Sequence, residues 1–211
     1  MATETISARW EQTYRAGSQL NLYPFDWVVK HFSQRFRDPA QRHSTRVLEI
    51  GCGAGNNVWF LARSGFRVSG IDASEAAIAF ARERMAGEGL SADLQVADFT
   101  RLPYGDQLFD VVLDRGGITA APFAAGKLAA TEVARVLRPG GSFLFNPLSA
   151  NFATTSPSKE ADIGCLYDEA MVREVLIESR WKILAWRSLE SRNHLLEHDV
   201  HAQWVIEAER V

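Results

Sequence analysis

Cysteine is scarce in this sequence: Cys52 and Cys165 are the only two among 211 residues. Two thiols without zinc-type partners beside them are too few for a disulfide framework, and they point to a reduced, cytoplasmic setting. Long apolar runs are missing as well. No window approaches the ~20 consecutive apolar residues of a membrane span, so no membrane partner is expected. The opening segment MATETISARW lacks the apolar stretch of a secretory signal. Excess positive charge is also absent. Lys and Arg number 23 against 26 Asp and Glu, a net charge of −3, which argues against a broad nucleic-acid surface. There is no internal repeat and no low-complexity tract. What remains is 46% hydrophobic and 23% charged, the balance of an ordinary globular protein and the size of one core.

The first 45 residues are aromatic and polar and differ from the rest. Trp27, Val28, His31 and Phe32 recur at spacings that give a helix one apolar face, and Asp38-Pro39 marks a turn. From there the chain alternates. Strands are expected at Arg46–Ile50 and at residues 66–71, 92–97, 108–113 and 142–146. Helices are expected at Asn56–Arg63, from the N-cap Ser74 to about Met85, at residues 127–137 until Pro139-Gly140-Gly141 stops the chain, and at residues 167–179. Two last strands, residues 181–189 and 201–208, have no helix between them and read as a hairpin. Strands separated by helices imply an α/β fold with a parallel sheet covered on both faces. The hairpin adds one antiparallel strand near an edge.

The informative segment is Val47-Leu48-Glu49-Ile50-Gly51-Cys52-Gly53-Ala54-Gly55-Asn56-Asn57. A strand enters three alternate glycines and leaves as a helix. Glycine tolerates positive φ and lets a ligand approach the backbone, and such a loop sits at the strand end where open α/β sheets bind ligands. The spacing does not fit a dinucleotide fingerprint, whose last glycine would fall on Asn56 or Val58, and the Gly-Lys-Ser/Thr of a phosphate loop is missing. Glu49, just before the loop, suits a ligand that carries an ammonium or sulfonium charge. Asp72 follows Gly51 by 21 residues, at a strand end where a carboxylate accepts hydrogen bonds from ribose hydroxyls. Asp98-Phe99 ends the third strand, with an acid for an adenine amino group and a ring to flank the base.

These segments, VLEIGCGAGNN, GIDAS, VADFTRLPYGDQLFDVVLDRGG and LRPGGSFLF, resemble the class I S-adenosylmethionine-dependent methyltransferases of the small-molecule type, over roughly residues 46–146. The resemblance implies a three-layer Rossmann-like fold with a seven-stranded sheet ordered 3-2-1-4-5-7-6 and strand 7 antiparallel. It implies one domain over residues 1–211, with a helical cap or lid at 1–45, a cofactor-binding core at 46–146 and a substrate-side connection and hairpin at 147–211. It implies S-adenosylmethionine as cofactor, with S-adenosylhomocysteine as product. Glu49 and the loop Gly51, Cys52, Gly53 and Gly55 would hold the methionine part. Asp72 and Ala73 would hold the ribose and one side of the adenine, and Asp98 and Phe99 its amino group and edge. Asp114 and Arg115 would face the methionine end and the substrate.

The acceptor is less legible. A His-rich or aromatic run often follows the fourth strand in this family, and here the chain reads Gly116-Gly117-Ile118-Thr119. Asp114 stands open between a substrate base, a cofactor contact and a structural acid paired with Arg115. Tyr14 and Tyr23, with Trp10, are the lid residues to follow toward the cofactor, and residues 151–164 form a second lid candidate. The run Trp10 to Tyr14 with Leu22-Tyr23-Pro24-Phe25 looks similar to bacterial methyltransferases of sugars and other secondary metabolites. His194, His198 and His201 would align on a helix, but no cysteine or firm carboxylate partner accompanies them, so a polar connector is expected and no metal. The expected activity is direct methyl transfer to O or N of a small molecule. The alternatives are a non-catalytic S-adenosylmethionine-binding module and a protein or RNA methyltransferase. Oligomeric state stays open.

Overall fold

The computed structural model describes residues 2–153, 164–177, 180–192 and 200–211. The chain opens with α1 (Ala2–Arg15), α2 (Asp26–Arg35) and a short α3 (Pro39–Ser44). The alternating region follows: β1 (Arg46–Ile50), α4 (Asn56–Arg63), β2 (Arg67–Asp72), α5 (Glu75–Gly87), β3 (Asp93–Val96), β4 (Phe109–Arg115), a 3-10 turn (Ile118–Ala120), α6 (Phe123–Val136) and β5 (Leu137–Asn146). It closes with α7 (Glu169–Val175), β6 (Trp181–Arg192) and β7 (Val200–Arg210). The sheet order is β3-β2-β1-β4-β5-β7-β6. Strands β1 to β5 run parallel, and β7 is antiparallel to both β5 and β6. This is the order and handedness of pairing expected from the resemblance.

Burial on both faces explains the near-continuous apolar reading of β1 and β4. In Val47-Leu48-Glu49-Ile50 every side chain is buried, as parallel strands sandwiched between helix layers require. One face packs Val28 and Phe32 of α2, Val58 and Leu61 of α4, and Ile78 and Ala81 of α5. The other packs Val133 of α6, Val172 of α7, Phe143, Phe145 and Tyr167. Each fully buried aliphatic or aromatic chain contributes about 1.5–3 kcal/mol of transfer free energy. Helix starts follow local chemistry. Ser74 accepts from the Ala77 N–H, Asp168 from the Met171 N–H and Asp38 from the Ala40 N–H.

Several boundaries differ from those expected. Helix α6 begins at Phe123, four residues before Lys127, with Pro122 at its N-cap, a position where the missing N–H costs nothing. It ends at Val136, and Leu137 already pairs with Phe109 before a register shift carries the chain past Pro139-Gly140-Gly141. That motif is therefore an irregularity inside β5, not the helix stop. Strand β4 continues through Asp114 and Arg115. Tyr167 is not helical: it bridges to Ser149, and α7 starts after Asp168. Residues 154–163 of the second lid candidate, together with His194 and His198, lie outside the described residues.

Strand β7 changes partners along its length. Residues Ile206 to Glu209 pair with β5 from Phe145 back to Ser142. Beyond that, Leu148 bridges Gln203 and Ala153 bridges Val200. The Ser149 N–H donates to the Ala202 carbonyl at 2.9 Å. The segment after β5 is thereby laid across the mouth of the sheet. Among the described residues, no helix is long and apolar enough to cross a membrane.

Candidate cofactor and acceptor site

The loop after β1 and the loop after β4 touch at the carboxyl edge of the sheet. Gly51 has φ +62°, and a Cβ there would stand 2.8 Å from the Gly117 Cα. Only glycine accommodates both the left-handed backbone and the neighbouring chain. Cys52 N–H donates to the Ile71 carbonyl at 2.9 Å, tying the loop to β2. Asp72 then anchors both strand ends: Oδ2 accepts from the Gly53 N–H and Oδ1 from the Ser74 N–H, each at 2.9 Å. Each oxygen keeps a lone pair for a ligand. Burial raises the Asp72 carboxyl above the ordinary range, against the pull of these backbone donors.

Two cavities open above this edge. The first, about 500 Å³, is lined by Asp72, Ala73, Val96, Ala97, Asp98 and Phe99 on its far side, with Trp10 and Tyr14 of α1 across from them. Asp98 turns one oxygen to the Thr100 N–H at 2.7 Å. The second, about 410 Å³, holds Glu49, Cys52, Gly53 and Asn57, and reaches Phe25, Leu148, Phe152 and His201. Trp10, Tyr14, Gly51, Arg115, Gly116 and Ala120 line both, so the cavities adjoin.

Glu49 is the buried acid of the second cavity. Asn57 Nδ2 donates to its Oε1 at 2.7 Å, while its Oε2 is buried without a partner. Burial pushes the carboxyl up to about 8, opposed by the Asn57 hydrogen bond and helped by the nearby Asp114. Arg115 lies with its guanidinium 3.7 Å from the Phe25 ring centroid, and burial lowers its pKa. A buried cation stacked on an aromatic is fixed in direction as well as in place. Burial also raises the phenol of Tyr14, so its hydroxyl stays a neutral donor.

The N-terminal helix is held over the first cavity by an acid. Glu11 Oε2 accepts from the Ser74 hydroxyl at 2.6 Å and from the Ala76 N–H at 3.1 Å, at the start of α5. A carboxylate at a helix N-terminus is favoured by the unpaired amides there. Asn56 and Asn57 hold the following turn. Asn56 Nδ2 donates to the Tyr23 carbonyl, and the Phe25 N–H donates to Asn57 Oδ1.

The structure brings together Glu49, Gly51, Cys52, Gly53, Asp72, Ala73, Asp98, Phe99, Arg115 and Tyr14 as lining residues. Gly55 stands one step back, in a left-handed conformation as the N-cap of α4. Two expected residues are not brought in. Tyr23 is 78% exposed and lines neither cavity; only its carbonyl is used, by Asn56. Asp114 is fully buried behind the Gly117 turn, where Oδ1 accepts from the Ile118 N–H at 2.9 Å. It lines neither cavity, and its Oδ1 is taken up by the post-β4 loop. Burial pushes its carboxyl up to about 7. Glu11, Asn57, Leu148 and Phe152 were not legible from spacing. The Asn56-Asn57 pair directly after the glycine loop was the one local signal.

Comparison with known proteins agrees with this geometry. Residues 47–141 match the family described as Methyltransferase domain. The chain is 37% identical over 122 residues to a ubiquinone biosynthesis O-methyltransferase of Sinorhizobium medicae, covering 56% of this chain and 47% of that protein. It is 42% identical over 103 residues to a fatty-acid O-methyltransferase of Mycolicibacterium smegmatis, covering 47% and 36%. The chain thus spans about half the length, or less, of these relatives. Among solved structures, a SAM-dependent methyltransferase from Methanosarcina mazei superposes with a TM-score of 0.71 at 21% identity, covering 90% of this chain and 99% of that one.

Proposed function

From the match of residues 47–141 to the methyltransferase domain family and a sheet ordered as the class I methyltransferase resemblance implies, we propose that this chain transfers the methyl group of S-adenosylmethionine to an oxygen of a small-molecule acceptor. The observation that carries the reading is the pair of adjoining cavities with an acid in each. Asp72 lines one, and the half-partnered Glu49 lines the other. A nucleoside joined to a cationic amino-acid tail matches that pair of carboxyl groups.

The residues divide by chemistry. Asp72 accepts from the ribose hydroxyls. Asp98 accepts from the adenine amino group, with Phe99 and Val96 flanking the base. Glu49 uses its free Oε2 for the methionine ammonium, and Arg115 answers the methionine carboxylate. When bound, the cofactor supplies an electrophilic methyl carbon on a positively charged sulfur. The protein's part is then mainly alignment, and holding two reactants in place can supply about 7–11 kcal/mol of the barrier. Trp10 and Tyr14 of α1 cover the cavity and keep water from the reacting pair. The curated relatives are named as O-methyltransferases, which favours oxygen over nitrogen as the acceptor atom.

Calorimetric titration with S-adenosylmethionine, S-adenosylhomocysteine and NAD in parallel tests the cofactor. Micromolar binding of both sulfur compounds and none of NAD supports the reading. Binding of NAD alone, or of none of the three, overturns it.

A further inference from the structure

Part of the second cavity's lining is apolar. Phe25, Leu148 and Phe152 give it apolar walls, and His201 of β7 is the one imidazole among the described residues that line it. The partner change of β7 puts these side chains there. Ala153 bridges Val200 and the Ser149 N–H reaches the Ala202 carbonyl, which sets the Phe152 ring edge-on to His201 at 5.6 Å between centroids. His201 is also an exposed residue.

The other candidate bases are disposed differently. Asp114 is sealed behind the post-β4 turn. Glu49 is held by Asn57 and is assigned above to the methionine ammonium. We propose that His201 accepts the proton of the methyl acceptor, and that the acceptor is a phenol whose ring lies between Phe25, Leu148 and Phe152. This inference rests on the methyl-transfer reading above.

The chemistry selects the class. An imidazole, with an ordinary pKa of about 6.5, is matched to a phenol of about 10, whereas an aliphatic alcohol is far too weak an acid. A carboxylate needs no base. A protonated amine would enter a cavity that already holds the Arg115 guanidinium. Planar walls favour a flat ring. In the step, the phenol O–H proton passes to a His201 ring nitrogen as the oxygen lone pair bonds to the methyl carbon. The electrons of the broken sulfur–carbon bond return to sulfur. The products are an aryl methyl ether, S-adenosylhomocysteine and an imidazolium that releases its proton to water.

The test compares wild type with His201→Ala and His201→Gln on hydroxybenzoates of ordinary acidity and on dinitro-substituted phenols, which are already ionised at neutral pH. Cofactor affinity of each protein is measured by calorimetry. The expected result is a fall in kcat of about 100-fold or more on the ordinary phenols, a change of only a few-fold on the nitrophenols, and unchanged S-adenosylmethionine binding. Equal losses on both acceptor sets, no loss on either, or no phenol methylation by a wild type that binds the cofactor overturns the proposal. Failure of wild type to bind the cofactor is a separate result and overturns the methyl-transfer reading itself.

Discussion

Asn57 donates a 2.7 Å hydrogen bond to Glu49 Oε1, and the Phe25 N–H at 3.1 Å fixes which end of the amide faces the acid. A backbone N–H can only donate, so the Asn57 oxygen must take it and the NH2 must turn to Glu49. One side chain thus couples the buried acid of the core to the N-terminal cap. Asn57→Ala leaves the Glu49 carboxyl and the Phe25 amide without these partners. The expected cost is about 2–4 kcal/mol, a fall in Tm of roughly 5–15 °C, read by thermal unfolding of the ligand-free protein. A change within 1 °C would show that water replaces the amide at no cost.

Glu49 and Asp114 give the ligand-free protein a pH dependence of stability. Burial pushes their carboxyls to about 8 and about 7, against roughly 4 in an unfolded chain. Both folded values are raised, so the fold prefers the protonated forms. Their contribution is complete below pH ~4 and is lost as pH rises through the folded values, with a slope of at most about 1.4 kcal/mol per pH unit for each group. Denaturant midpoints should therefore fall between pH 5 and pH 8.5, and Glu49→Gln should flatten the upper part of that decline. A midpoint that rises over this window contradicts the burial argument.

Gly51→Ala and Gly53→Ala should differ in severity although both residues have positive φ. At Gly51 the new methyl meets backbone, the Cα of Gly117 at 2.8 Å. At Gly53 it meets the tip of the Tyr14 side chain, which can swing away. Gly51→Ala is expected to lower stability by several kcal/mol. Gly53→Ala is expected to cost about 1–2 kcal/mol, the strain of the left-handed backbone alone, and Tyr14→Phe should not worsen it. Equal losses in a chemical denaturation series would mean that Tyr14 is as rigid as backbone.

Asp72→Ala removes the acceptor proposed for the ribose and also frees the Gly53 and Ser74 amides. Affinity for S-adenosylmethionine should fall by about 1–3 kcal/mol, roughly 5- to 150-fold. Asp98→Ala should cost less, since Asp98 lies at the more exposed end of the first cavity. Titration of both variants checks the order, and unchanged binding in Asp72→Ala would displace the ribose from this position.

Glu11→Ala cuts the contact that holds α1 to the start of α5. Amide exchange in residues 8–15 should speed up by about tenfold, while the strands keep their protection. Unaltered exchange would show that packing of Trp10 and Tyr14 holds α1 without the acid.

The core was legible because its signals are local. The strand–glycine–helix passage at residues 47–57, Asp72 and Asp98 at strand ends, and the closing hairpin are each carried by a short run of sequence. What could not be read depends on contacts between distant segments. Glu11 caps a helix 63 residues away through Ser74. Arg115 stacks on Phe25. Phe152 meets His201 only because β7 changes partners. Asp114 looked like a site residue because it ends a strand beside the glycine loop. Its side chain, however, is taken up by the turn that follows, and nothing in its spacing distinguishes the two outcomes. Tyr23 sits in an aromatic run, yet the two asparagines hold its backbone and its ring points to solvent.

The two-partner habit of β7 divides one strand between two kinds of duty. Its later half, from Ile206 to Glu209, is stitched into the sheet beside β5, and substitutions there are answerable to folding. Its earlier half, from Val200 to Gln203, is zipped to residues 148–153 and borders the cavity mouth. Changes in that half can reshape what enters while Glu49, Asp72 and Asp98, carried by β1, β2 and the end of β3, stay where they are. A fold wired in this way can drift in its choice of acceptor without renegotiating the machinery that holds the donor.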